Sequence, residues 1–561
     1  MGNFKWILLA MLLANVSLFA KSTKEVEDSE NLRNGVAALY EGDNYTAHDY
    51  FLKELDSNPK SNRAYYWLAY LYKYDYKTSL SNYNKSIEYG KKDKMNLYSS
   101  YLGRSDLFWE YGDTTKAMED LNVAEKLSDK PIGAYTRKAD ILFYQNKRDE
   151  SETYYKKALN LDPECLQALM GMGRSCLRRD EYKKALEYFD KTSQIYPRYS
   201  DAYAFKAKTY ASMKEYYSAT ENLIYALQYE PYNRKALYEM DKLNDEAVEL
   251  LKPKLKIEIL RNTEDPSWNY YLGRVFEIEQ DYKSAIACYQ EGLKIKFLPF
   301  LANRLSACYE NLGHTKNALK YTELALSMDS ADLDAKKDQI VLLLEMGDYN
   351  QAIIKADEYI KEYAYYSFGY RKKATALQRL NRYQESIDEF SMALVNAPSS
   401  PCYYFSRGIV YRAMGNEKMF KSDMQKAISC DSSKSSYYAA LAYASLGDRE
   451  NALAVMTIYR LSCLNENDTI IRDNGMMSYR LAVLFSLLDS QDVAIECLRN
   501  AFTSGFRYFE EVENALEFSN IRENEKFKTL LRKYKELNKK EIQELNAKEN
   551  PEDSVRIKTI Y

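Results

Sequence analysis

Small and large apolar residues return along this chain at a fixed interval. Ser151, Tyr155, Ala158 and Pro163 are matched 34 residues later by Ala185, Phe189, Thr192 and Pro197, and again by Ala219, Leu223, Ala226 and Pro231. The same small–x3–large–x2–small–x4–Pro spacing stands at Ala47, Phe51, Glu54 and Pro59 and at Ser386, Phe390, Ala393 and Pro398. Weaker copies begin at Ala117, Ala285, Ala318, Ala352, Ala452 and Ala494. Steps of three and four residues place such side chains on one face of a helix, and the proline stops it. Upstream of each copy lies a second signature, as in Met172-Gly173-x2-Cys176, Lys206-Ala207-x2-Tyr210, Leu272-Gly273-x2-Phe276 and Arg407-Gly408-x2-Tyr411. Each period therefore predicts two antiparallel helices. The small residues let them approach closely, and the large one fills the gap toward the next pair. Gly313-His314, Gly347-Asp348, Gly415-Asn416 and Gly447-Asp448 supply turn chemistry at the joints.

This pattern resembles the tetratricopeptide repeat, the 34-residue helix–turn–helix unit with Trp-x2-Leu-Gly-x2-Tyr…Ala-x3-Phe…Pro. About fourteen units run from near Asp28 to near Phe506. The resemblance implies an all-α fold, a right-handed superhelical solenoid in which first helices line the concave side. Repeat positions 2, 5, 9, 12 and 13 would then put Met170, Arg174, Arg178, Lys208, Tyr270, Arg274, Arg371, Arg379, Phe405 and Arg412 in the groove. Basic and aromatic residues of this kind suit carboxylate-bearing or extended peptides. The Lys/Asn clamp of chaperone-binding members is missing, since the relevant pairs read Met170/Arg174, Ala204/Lys208, Tyr270/Arg274 and Arg371/Thr375.

The repeats divide into an N-terminal part, 28–232, and a C-terminal part, 266–506, around a degenerate repeat or bend at 233–265. A second irregular unit lies near Ser61–Lys91, with a shortened joint at Tyr74-Asp75-Tyr76. From Arg507 the pattern changes to Leu516, Ile521, Phe527 and Leu530-Leu531, read as capping helices over 507–534. A charged tail, 535–561, follows and ends in a strand-like stub. At the other end, Lys5, the apolar stretch Trp6–Leu18 and Ala20 have the layout of a signal peptide over 1–20. Export to the periplasm or secretion is expected, with an uncleaved membrane anchor as the alternative. No later apolar run is long enough to span a bilayer.

Composition narrows the chemistry. The 79 Lys+Arg nearly balance 82 Asp+Glu, which removes the electrostatic ground for a nucleic-acid partner. Only two histidines, His48 and His314, are present, each read as a surface residue, which leaves little for a His-based metal site or a catalytic relay. The 54 tyrosines are amphipathic packing material for helices. Gly171-x-Gly173 lacks the preceding strand and third glycine of a nucleotide loop and reads as helix packing. The pair Glu510-Glu511 reads as a solvated helix face or helix start. Eight scattered cysteines show no zinc spacing; if a disulfide forms, Cys402–Cys430 is the expected pair. No cofactor and no enzyme motif emerges. The expected function is a non-catalytic scaffold for a protein or peptide. Its rival is the recruiting or regulatory portion of a peptidase or transferase whose catalytic domain lies on a separate chain or a missing C-terminal extension.

Overall fold

Polar caps and left-handed joints punctuate the helices. The computed structural model describes residues 28–463 and 474–546. Among these, 28 helices from Glu30–Glu41 to Gln491–Thr503 pair into fourteen antiparallel hairpins. The expected signal peptide, the end of the charged tail with its strand-like stub, and residues 464–473 lie outside the described residues.

At twelve of the fourteen joints one residue adopts the left-handed conformation. Glycine fills it at 42, 112, 313, 347, 415 and 447; Asn146, Asp180, Lys214, Gln280, Asn381 and Asp489 fill it elsewhere. The next residue then serves both helices. Asp348 donates its backbone N–H to Leu343 O at 2.9 Å, closing Leu333–Glu345, while its carboxylate accepts from Gln351 N and opens Tyr349–Glu362. The two joints without a left-handed residue belong to the hairpins starting at Asn62 and Arg234. In the second of these the first helix, Arg234–Met240, has only 7 residues, and the second, Asp245–Arg261, holds Pro253 inside it.

The repeated small and large residues form the core. Ala47, Phe51, Ser151, Tyr155, Ala158, Ala185, Phe189 and Thr192 are all fully buried. Where serine replaces alanine, its hydroxyl donates to the facing helix: Ser151 to Ala139 O at 2.7 Å and Ser386 to Ala374 O at 2.8 Å. The glycines are sized to these rings. A Cβ at Gly173 would lie 2.4 Å from Phe189 of its own hairpin, and one at Gly171 would lie 2.2 Å from Tyr155 of the hairpin before. This accounts for Gly171-x-Gly173 as packing.

Contacts divide the chain into two units, 28–254 and 255–546 among the described residues. The boundary falls inside Asp245–Arg261. In the second unit, the last hairpin is followed by Phe509–Asn514, a 3-10 turn Leu516–Phe518 and the helix Glu525–Asn546. That last helix continues past residue 534 into the charged stretch, with Leu530, Leu531 and Asn538 buried along one side. His314, expected at the surface, is a buried helix cap stacked on Tyr309. His48 meets the Tyr72 hydroxyl at 2.8 Å. All eight cysteines are free, Cys402 and Cys430 included.

Candidate functional site

The residues expected to line a groove fall on first helices or their C-caps: Leu166–Leu177, Ser200–Ser212, Ser267–Ile278, Ser367–Arg379 and Pro401–Ala413. Their surroundings differ from the expectation in three ways. Met170 and Phe405 are core residues, 5% and 1% exposed, because their side chains reach between hairpins; Phe405 meets Tyr438 with ring centres 5.9 Å apart.

The basic residues of the first unit are matched by the chain itself. Arg174 Nη2 lies 2.6 Å from Asp140 Oδ1 and 3.3 Å from the Tyr155 hydroxyl, with its guanidinium 5.2 Å from the Phe143 ring. Asp140 belongs to Ile132–Tyr144, the first helix of the preceding hairpin, so the pair joins neighbours. Arg137 bonds Asp106 at 2.7 Å in the same way, and Lys208 stands 3.6 Å from Glu239. Arg178 remains exposed at the rim, 4.0 Å above Phe143. Sequence reading missed Asp140, one 34-residue period before Arg174, and also Asp106 and Glu239, each 31 residues from its partner. A search for opposite charges one period apart would have found the first of these.

In the second unit, Tyr270 packs edge-to-face on Phe300, and Arg304 of the next first helix pairs with Glu277, which also accepts from the Tyr289 hydroxyl. Arg274 is half-buried on the same helix as Tyr270. Arg371 lies 5.8 Å from the Phe368 ring, and Arg412 lies 5.1 Å from Phe420.

Around Arg379 the chain returns on itself. Its side chain is 7% exposed, and Nη2 bonds Glu511 at 2.8 Å, while the buried Nη1 has no hydrogen-bond partner. Tyr349 donates its hydroxyl to Glu510, and Tyr508 donates to Glu310 at 3.1 Å. The Asn538 amide reaches Gly313 O at 3.4 Å. Glu510 and Glu511 are therefore not a solvated face: they open Phe509–Asn514 and turn toward Glu345, Tyr349 and Arg379. Local sequence carried no sign of this, because the partners are 132 to 198 residues away.

Glu345, Tyr349, Lys372 and Arg379 enclose a small cavity with Glu510 and Glu511. Burial, reinforced by Glu511, lifts Glu345 to about 8. Burial, with Arg371 nearby, brings Lys372 down to about 8. Burial raises Glu310 and, with Glu511, Glu517. The arrangement is suited to holding a polypeptide through its carboxylates. Among the described residues no cluster of three His, Cys, Asp or Glu side chains is placed for a metal ion, and no helix is long and apolar enough to cross a membrane.

Tetratricopeptide-repeat family models match residues 136–200 and 301–332. The chain is 22% identical over 423 residues to a TPR repeat-containing protein of Methanocaldococcus jannaschii, covering 72% of this chain and 70% of that one. It is 24% identical over 290 residues to the BBSome complex member BBS4 of Bos taurus, covering 45% of this chain and 55% of that one. Among solved structures, the APC/C hetero-tetramer Cut9–Hcn1 aligns with 88% of this chain and 98% of the matched chain, at 13% identity and a TM-score of 0.32. The 34-residue period, the fourteen helix hairpins and the matched repeats agree, and the chain belongs to the tetratricopeptide-repeat proteins.

Proposed function

We propose that this protein is an exported, non-catalytic scaffold that binds a protein or peptide along the first-helix faces of its repeats. The observation that carries this reading is the seating of a polypeptide segment, Tyr508–Glu517, against two first helices and the start of a second helix in the second unit through carboxylate, guanidinium and hydroxyl groups. A face that accepts one stretch of chain by such bonds has the chemistry to accept another. Stacked helix pairs bury their core between neighbours and leave these faces to ligands. Export rests on the Lys5, Trp6–Leu18 and Ala20 pattern.

Two measurements test it. N-terminal sequencing of native protein from fractionated cells should give a start at or near Lys21; intact Met1 in the membrane pellet refutes cleavage. A photo-crosslinking residue at position 178, on a first-helix rim, should capture a partner that the same residue at position 156, exposed on a second helix, does not. Equal capture at both positions refutes the face assignment.

A further inference from the structure

The segment after the last hairpin has two unlike sides. Its apolar side is sunk into the end of the array: Val512 and Phe518 are fully buried, the Phe509 ring lies tilted 5.2 Å from Phe502, and Phe518 lies 6.0 Å from Tyr479. Its acidic side crosses to hairpins far upstream, where Glu511 bonds Arg379 at the end of a first helix, Glu510 takes the hydroxyl of Tyr349 at the start of a second helix, and Tyr508 reaches Glu310 on a first helix. The second contact has signs of a poor match. Arg379 keeps one buried N–H unmet, and three carboxylates crowd one small cavity. Phe509–Asn514 is only 6 residues long, too short to hold a helix without its contacts.

We propose that Tyr508–Glu517 is an internal clasp: its apolar side anchors it to the last hairpin, while its acidic side occupies the surface around Glu345, Tyr349 and Arg379, where first helices end and a second helix begins, until an acidic peptide of similar chemistry displaces it. The inference rests on the scaffold reading above and adds the kind of ligand and the device that gates it. The clasp opens by parting Phe509–Asn514 from Leu333–Glu345 and breaking the polar bonds between them, which water and a competing carboxylate can replace. A ligand that meets the unmet Arg379 N–H gains a charge-assisted bond that the clasp does not make. Because the face is available only in the open fraction, apparent affinity rises in proportion as the clasp is weakened.

The test uses the full-length protein and a fluorescein-labelled synthetic peptide copying residues 507–519. In Glu510→Gln/Glu511→Gln, hydrogen exchange of Leu333–Glu345 and Phe509–Asn514 should quicken, and the peptide should bind at least about tenfold tighter than to the unaltered chain. A peptide with glutamine at both glutamate positions should lose that gain. Equal peptide affinity in variant and unaltered chain overturns the clasp. Faster exchange with no gain in binding overturns the acidic-peptide assignment. Should the double variant fail to fold, Glu510→Gln alone weakens the clasp's bond to Tyr349 and leaves the face itself intact, and should give a gain of about threefold; no gain there overturns the proposal. Capture at position 178 in the first unit reports separately on the scaffold reading, so either can fail alone.

Discussion

Removing Arg174 should destabilise the array, whereas removing Arg178, four residues on, should barely do so. Sequence reasoning alone expects both to be spare, because repeat position puts both in a groove. In the structure Arg174 is 22% exposed and bonds Asp140 on the neighbouring first helix at 2.6 Å. A charge-assisted bond of this kind is worth about 1.5–3 kcal/mol, and the guanidinium over Phe143 at 5.2 Å adds about 0.5 kcal/mol. Asp140 is 36% exposed and regains water when its partner leaves, so Arg174→Ala should cost about 2 kcal/mol. Arg178, exposed at the rim, adds to its ring contact a long 3.4 Å hydrogen bond to Phe143 O, and Arg178→Ala should cost about 0.5–1 kcal/mol. Stability in such arrays is a sum of neighbour terms, so the loss should appear where Ile132–Tyr144 meets Leu166–Leu177. Hydrogen exchange by mass spectrometry reads this directly: about 2 kcal/mol corresponds to roughly thirtyfold faster opening of those helices. Equal effects of the two substitutions, or faster exchange spread over the whole unit, would refute the pairing as a local junction.

Three further outcomes are expected. Gly173→Ala should lower stability by about 1–3 kcal/mol in a chemical-denaturation series, since its Cβ would stand 2.4 Å from the buried Phe189 ring; an unchanged midpoint would show that the ring yields freely. Lys214→Gly should raise stability by about 1 kcal/mol, because Lys214 holds φ 61° at a joint that glycine fills without strain; loss of stability would mean the lysine side chain matters there. The clasp should loosen as pH rises from about 4.5 to about 8. Glu345 faces Glu511 on the clasp, Lys372 and Arg379 on Ser367–Arg379, and Glu310 on Pro299–Asn311. Its raised value means that the closed form holds the proton longer. Closure is thus favoured in full below the ordinary carboxylate value and loses this contribution as pH rises through about 8. Cleavage near Glu510–Glu511 by a glutamate-specific protease, corrected for the protease's own pH profile, should increase over that range; a flat profile would remove Glu345 from the closure.

The repeated core was legible because period and burial coincide: Ala185, Phe189 and Thr192 occupy their positions for packing reasons that a sequence displays. Lys214 and Gln280 as left-handed joints were not, because backbone geometry there is imposed by the two helices that must meet, against the residues' own preference. The groove set was only half readable. Repeat position placed Arg174 and Arg379 on first helices, but their charge had been assigned to an absent ligand when Asp140 and Glu511 already answer it. The first partner is one period away and visible in principle. The second is 132 residues distant and comes within reach only when the chain folds back. Phe405 shows the same limit: an aromatic at a groove position turned inward to meet Tyr438.

The way Gly171 receives Tyr155 bears on whether such an array can be edited. Period alone suggests modules that could be cut out or duplicated in steps of 34 residues. Yet the residue one period beyond Gly171 is Phe205, which stacks 5.5 Å from Phe189. Excising one period in register, so that Tyr155 faced the following first helix, would set Phe205 where a bare Cα now leaves room for the ring. Neighbouring repeats are therefore keyed to each other as individual locks, and their order along the chain carries information that their shared period does not.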